Sequence, residues 1–412
     1  MRTTSRTGAG VMHEPRSSAP GLYLHVPFCS TICPYCDFSV MRSASPARER
    51  FASRLVVEVG LAAPAWRDTR PFDTVYFGGG TPSQLPPEDL ARVLAACRTH
   101  LAFATPAPWI FLEANPEDVT HEACAAWRGL GVRTLSLGVQ SFSDETLRFL
   151  GRRHTGQEAS AAVETALAAG FDTVSIDLIF GLRGQTAEDW QLQLATAVSL
   201  EPQHLSCYQL TIHAGTRFGV QAKHGQLPEL PEDDQATLFE LAHRFLADAG
   251  WPAYEVSNFA RAPLHQSRHN RKYWDHTPYL GLGPSAHSLS AADASSPARR
   301  WWNERGTPRW EKRLAAGERP IEGQELLGPK DLAEEALLLG LRTTAGIDLD
   351  SLTTRYGVDL LSANGALVTR LTDEGLVVVR ADAEGGRHLV PTLSGLAVAD
   401  GLAAAFDLTL PN

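Results

Sequence analysis

Long hydrophobic runs are missing from this 412-residue chain: no stretch of about 18 apolar residues occurs, so no membrane-spanning helix is expected. A basic surplus is missing too. The 37 Lys and Arg stand against 47 Asp and Glu, a formal charge of −10. That balance argues against nucleic acid, whose phosphates demand a basic face. Residues 1–20 lack the apolar core of a secretory signal and read as a disordered tail, with Met12 as an alternative start. There is no internal repeat and no low-complexity tract beyond Ala-rich helices. Cysteine is sparse, with six in all. Three of them, Cys29, Cys33 and Cys36, fall within eight residues. In a chain of this size and cytoplasmic character, such crowding suggests metal rather than disulfides. Cys97 shares a helical face with Leu90, Val93, Leu94 and Leu101 and reads as a small core residue. Cys124 and Cys207 take the same reading.

What is present is a globular composition. Hydrophobic residues make up 43%, enough for a large core plus one or two smaller domains. From residue 21, short β-rich runs alternate with helical patterns. The expected strands are 21–26, 73–77, 109–113, 132–139, 173–180 and 204–210. Ser45–Pro46 reads as an N-cap with Pro at the first helical position. Thr186 caps another helix, with Glu188 and Asp189 in its first turn, where the helix dipole favours acids. Six strand–helix units in series mean a parallel sheet with crossover helices. A doubly wound sheet and a full or partial barrel both satisfy that pattern. The rhythm breaks near residue 250, and 251–412 reads as a separate C-terminal region. Its first part, 251–330, is rich in Trp, His, Arg and Pro. Its second, 331–412, suggests helices followed by a two-stranded wing.

Cys29-Ser-Thr-Ile-Cys33-Pro-Tyr-Cys36 is a C-x3-C-x2-C motif directly after the first strand. Structural zinc wants four ligands, usually as two separated pairs, and no second pair is present. An iron–sulfur cube has four irons, and three thiolates leave one of them open. Other polar or Gly-rich groups follow later strands: Gly78-Gly79-Gly80-Thr81-Pro82, Glu113-Ala-Asn115-Pro116, Gln140 and Asp177. In barrels of alternating strands and helices, functional groups gather at such strand ends. A carboxylate such as Glu113 suits ribose hydroxyls or an ammonium group. Arg152 suits a carboxylate through its fork of donors.

The spacing resembles that of the radical S-adenosylmethionine (SAM) superfamily. Tyr23-Leu-His25-Val-Pro27-Phe28-Cys29, then GGGTPS, EANP, GVQSF, LGRRH and SIDLIFGL in order, resemble its coproporphyrinogen dehydrogenase-like (HemN-like) branch over about residues 21–410. The resemblance implies a (β/α)6 partial TIM-type barrel over 21–250 with an α+β, winged-helix-like C-terminal region. It implies a [4Fe–4S] cluster on Cys29, Cys33 and Cys36. SAM would chelate the open iron and touch Tyr23, Tyr35, Gly79, Gly80, Thr81, Glu113, Gln140, Arg152 and Asp177, with Arg153 a neighbour of Arg152.

The chain departs from that branch at one place. The dehydrogenases carry a further cysteine two places after the third cluster cysteine, where this chain has Phe38. His269-Asn270-Arg-Lys-Tyr273-Trp274 resembles the HNxxYW signature of the HemW haem chaperones. Alone, such a motif is more often a packed aromatic turn with a satisfied histidine. Chemically it offers an imidazole and two aromatics able to cover a macrocycle. His269 is therefore the expected haem-binding residue, with His265, His276 and His287 in the same segment. The function so implied is haem binding and transfer to an acceptor protein, with peripheral contact to a membrane acceptor allowed. The alternatives are oxidative decarboxylation of coproporphyrinogen III, which Phe38 argues against, or radical chemistry on an unrelated substrate.

Overall fold

The computed structural model describes residues 19–43, 45–292, 297–382 and 385–408, without the side chains of Ser45 and Ala47. The expected tail, apart from its last two residues, and the N-cap side chain of Ser45 lie outside the described residues.

Six strands form the parallel part of one sheet: β1 (Gly21–Val26), β2 (Thr74–Gly79), β3 (Trp109–Ala114), β4 (Val132–Gln140), β5 (Thr173–Phe180) and β6 (His204–Gln209). They pair in sequence order, each parallel to the next. The crossover helices are α1 (Ser45–Ala62), α2 (Pro87–His100), α3 (His121–Gly129), α4 (Gly156–Ala168) and α5 (Ala187–Ser199). At the start of α5, Thr186 Oγ1 accepts from the Asp189 N–H at 3.1 Å, and Asp189 returns the bond to the Thr186 N–H. Two orphan donors of the first turn are thereby satisfied.

Side chains alternate across each strand. The outward set includes Leu22, Leu24, Phe77, Leu112, Leu135, Leu137, Ile176, Leu178 and Leu205, all buried in the main core. Covering each such side chain contributes about 1.5–3 kcal/mol. The inward set is largely polar: Thr134, Ser136, Ser175, Asp177, His204 and Ser206 line a cavity of about 470 Å³. A closed TIM barrel fills its interior with branched apolar side chains. This partial barrel keeps a polar lumen instead. Cys97, Cys124 and Cys207 are all buried, as expected of core residues.

The sheet continues past residue 250. The strands β7 (Asn258–Ala260), β8 (Tyr279–Leu282), β9 (His287–Ser290), β10 (Ala298–Asn303) and β11 (Ile321–Leu327) bring it to eleven, in the order β11-β10-β9-β8-β1-β2-β3-β4-β5-β6-β7. The expected boundary at 250/251 therefore does not divide the structure. Residues 251–327 extend the sheet at both edges, and their short, mostly antiparallel strands carry too few residues for a readable period. Buried Glu58 of α1 ties this extension down. It accepts from the Gly283 N–H and the Trp310 Nε1–H, each at 2.8 Å, and from Asn303.

A second core begins at Ala333. It is built from α-helices Pro329–Gly340, Leu349–Tyr356 and Leu360–Asp373 and a three-stranded sheet of Ile347–Asp348, Arg387–Pro391 and Val377–Ala381. This winged-helix-like unit has one more strand than the sequence suggests, because Ile347–Asp348 is too short to register as one. No helix among the described residues is long and apolar enough to cross a membrane.

Candidate functional site: a cysteine loop over a polar lumen

The cysteine loop leaves β1 and folds over the C-terminal ends of the strands. Phe28–Cys29 pairs with Met41–Arg42 in a two-strand clasp. Between them the Cys36 N–H donates to the Cys33 carbonyl at 3.2 Å, and the Phe218 N–H grips the Pro34 carbonyl at 2.9 Å. Cys29, Cys33 and Cys36 are free, half-buried and line the mouth of the large cavity. Thr81 Oγ1 donates to Cys29 Sγ and Arg152 Nη1 to Cys33 Sγ, each at 3.6 Å. Burial pushes the Cys36 thiol up to about 11 and raises Cys29. Among the described residues, no three His, Cys, Asp or Glu gather closely enough to hold a single metal ion. A cube instead spreads three thiolates over three irons.

Below the loop, the strand ends supply the remaining groups. Glu113 accepts from Tyr76 Oη at 2.8 Å and from the Gly79 N–H at 3.0 Å. Burial, and secondarily the charge of Asp177, raise its carboxyl to about 7. Asp177, raised by burial to about 6, accepts from Ser136 Oγ at 3.2 Å. Arg152 donates through Nη2 to Asn115 Oδ1 at 2.7 Å and to the Gly138 carbonyl at 2.8 Å. Its Nε is buried with no partner among the described residues. Arg153 is exposed and does not line the cavity. Gln140 closes β4 with a φ of 67°, a conformation few side chains adopt.

The glycines are demanded by space. Gly79 has a φ of 111°, and a Cβ there would lie 2.5 Å from the His25 ring. At Gly80 a Cβ would meet the Phe28 carbonyl oxygen at 2.7 Å. Gly80, Thr81, Tyr35, Gln140, Arg152 and Asp177 line the large cavity, while Gly79 and Glu113 line it and a second one. Tyr23 lines only the second cavity, with its hydroxyl 3.1 Å from His25 Nδ1. Sequence reasoning missed Tyr76 and Ser136. The polar alternation Thr134, Ser136, Gly138, Gln140 along β4 was the available signal.

The HNxxYW residues lie on the short helix Arg268–Trp274, under the N-terminal ends of β1 and β2. His269 is 1% exposed. Its Nδ1 pairs with Thr74 Oγ1 and its Nε2 with Tyr273 Oη, both at 2.9 Å. Burial, then the Lys272 charge, drive its pKa down to about 3. Both ring nitrogens are thus engaged, and an iron bond at either would have to break one of these contacts.

Three thiols at the mouth, a carboxylate, an unpartnered guanidinium nitrogen and bare glycine backbone fit a cluster with an amino-acid ligand beside it. Fold and site together define a radical SAM protein. The Radical SAM superfamily model matches residues 23–193 and the HemN C-terminal domain model residues 327–398. The chain is 37% identical to the heme chaperone HemW of Mycobacterium tuberculosis over 84% of this chain and 88% of that one. It is 31% identical to HemW of Bacillus subtilis over 86% and 92%. The chain belongs to the HemW family. Among solved structures, coproporphyrinogen III oxidase (HemN) from Escherichia coli shares the fold, with a TM-score of 0.78 at 23% identity, over 94% of this chain and 90% of that one. Membership of the superfamily implies a [4Fe–4S] cluster and SAM.

Proposed function

We propose that this protein holds haem and hands it to an acceptor protein, the role named for its relatives from Mycobacterium tuberculosis and Bacillus subtilis. One observation carries the reading. Phe38 and Tyr273, from two motifs far apart in the sequence, line the same second cavity beside the cluster loop. Phe38 is 63% exposed and borders both cavities. A large exposed aromatic at that junction suits a flat apolar macrocycle. It also stands where the dehydrogenases resembled carry a cysteine, so porphyrinogen decarboxylation is not expected.

The large cavity takes the cluster and SAM. Cys29, Cys33 and Cys36 hold the cluster, which with SAM supplies one-electron chemistry at the sulfonium when both are bound. Glu113 receives the SAM ammonium and Arg152 the carboxylate. Gly79, Gly80 and Thr81 admit the methionyl backbone, and Tyr35, Gln140 and Asp177 shape the remaining wall. Tyr23 lines the second cavity and not this one, so its expected contact with SAM is not part of this proposal. The reading includes a cytoplasmic location, in keeping with six unpaired cysteines.

Haem titration followed by absorbance, then competition with apomyoglobin, tests the reading. One haem per chain, surrendered more slowly than by an unrelated protein, is expected. Release as fast as from the unrelated protein would overturn it.

A further inference from the structure

Resting on that reading, we infer that the haem iron is met by His287 in the second cavity, and that His269 positions the wall instead of ligating. The cavity measures about 350 Å³ and opens between the cluster loop and β8–β9. That volume is at the low end of the ~300–1,000 Å³ typical of small-molecule sites, so a porphyrin seated there leaves part of its ring outside. Its lining includes Phe38, Tyr273, Tyr279, His287 and Arg305. Tyr273 and Tyr279 meet edge to face, with ring centroids 4.7 Å apart, so they form a fixed aromatic wall.

Four histidines occupy the haem-associated segment, and their bonding separates them. His269 is buried with both ring nitrogens engaged. His276 is nearly as enclosed, with Nε2 at 3.1 Å from Glu335 and Nδ1 at 3.5 Å from Tyr356 Oη. His265 pairs through Nδ1 with Thr173 and lines the larger cavity. His287 is exposed, borders the aromatic cavity, and has no hydrogen bond to either ring nitrogen among the described residues. Trp302 stacks on its ring, at a centroid distance of 5.8 Å and an interplanar angle of 26°, which fixes the ring plane. Partial enclosure, and then the Arg300 charge, lower its pKa and keep the imidazole neutral, the form a metal takes.

The cavity's other histidine, His25, has both ring nitrogens engaged, Nδ1 at 3.1 Å from Tyr23 Oη and Nε2 at 3.1 Å from the Ser39 carbonyl. The carboxylates of Asp37 and Glu113 lie on the side shared with the larger cavity. Arg305 spends one guanidinium bond on the Asp37 carbonyl, at 3.1 Å. The guanidinium has five N–H donors, which leaves capacity for a propionate carboxylate at the rim. His269, through its bond to Tyr273 Oη, holds the aromatic wall in place and is a positioning residue. HNxxYW is then a wall-building motif. Its Asn270 lines the other cavity.

The test uses the full chain with its cluster reconstituted anaerobically, titrated with haem and read by Soret absorbance and EPR. Losing even an outer-shell partner of a metal ligand costs about ten- to a hundred-fold in affinity, so His287→Ala should weaken haem binding at least that much. It should also shift the Soret band, and added imidazole should restore the band position. His269→Gln should keep an iron–imidazole spectrum while lowering affinity. An unchanged spectrum and affinity in His287→Ala would overturn the inference. So would loss of the iron–imidazole signature in His269→Gln with the SAM-perturbed cluster signal intact. If wild type itself loses haem to apomyoglobin as fast as an unrelated protein does, it is the chaperone reading that fails.

Discussion

The two cavities of this protein share a wall at Asp37, Phe38, Gly79 and Glu113, yet they are built in opposite ways. The larger is made by regular structure. Five of the six parallel strands, β2 to β6, deliver polar groups to its wall, and the cysteine loop closes its mouth. The smaller is made by the cluster loop, the first strand, the helix Arg268–Trp274 and the short strands β8 and β9. Its wall sets four aromatics, Tyr23, Phe38, Tyr273 and Tyr279, beside the charged Asp37, Glu113 and Arg305 and the imidazoles of His25 and His287. The difference separates a site for a small zwitterion, which needs many fixed polar contacts, from one for a broad flat ligand, which needs apolar area and one or two anchors.

The largest effect should fall on the first cavity alone. Changing Cys29, Cys33 or Cys36 to Ala should abolish four-iron, four-sulfide incorporation, measured as iron and sulfide content after anaerobic reconstitution. Cys97→Ala should leave it intact. Haem binding should survive all four changes, because no cluster cysteine lines the second cavity. Haem lost together with the cluster would merge the two sites into one.

Next come the polar contacts. Glu113→Ala and Arg152→Ala should each weaken SAM binding by about 1.5–3 kcal/mol, the worth of a hydrogen bond to a charged group, or about ten- to a hundred-fold. Perturbation of the reduced cluster's EPR signal by SAM reads this out. Variants that bind SAM normally would remove these residues from the site.

Gly79→Ala should destabilise the fold by about 1–3 kcal/mol, the cost of a side chain held at a disfavoured φ, and should weaken SAM binding with it. Urea unfolding measures the first effect. An unchanged midpoint would show that the His25 ring gives way freely.

The smallest effect concerns pH. Burial holds Glu113 at about 7 and Asp177 at about 6. From about pH 4 to 7 the native state therefore keeps more protons than the unfolded chain, and stability must fall as pH rises through that window. Glu113→Gln should flatten the fall. Equal slopes in wild type and variant, from urea midpoints in SAM-free protein, would mean that Glu113 ionises normally.

Legibility in the sequence follows the same division. β1 to β6 and the groups at their ends could be read because each strand keeps a two-residue period and meets the rim at its C-terminal end. The register of Thr134, Ser136 and Gln140 carried the lumen's polarity as well. Residues 258–327 could not be read as sheet. Their strands are three to seven residues long, and their partners lie at both edges of a sheet begun over 200 residues earlier. His269 could be read as chemistry but not as burial, since its two partners come from β2 and from one turn further along its own helix. The contrast between His269 and His287 exists only in three dimensions.

The most direct test of the account is anaerobic incubation of the cluster-loaded protein with SAM, a reductant and coproporphyrinogen III. The account predicts that no protoporphyrinogen IX forms while the same preparation binds one haem per chain. Multiple turnovers to protoporphyrinogen IX would contradict it and would make Phe38 a tolerated replacement in a working dehydrogenase.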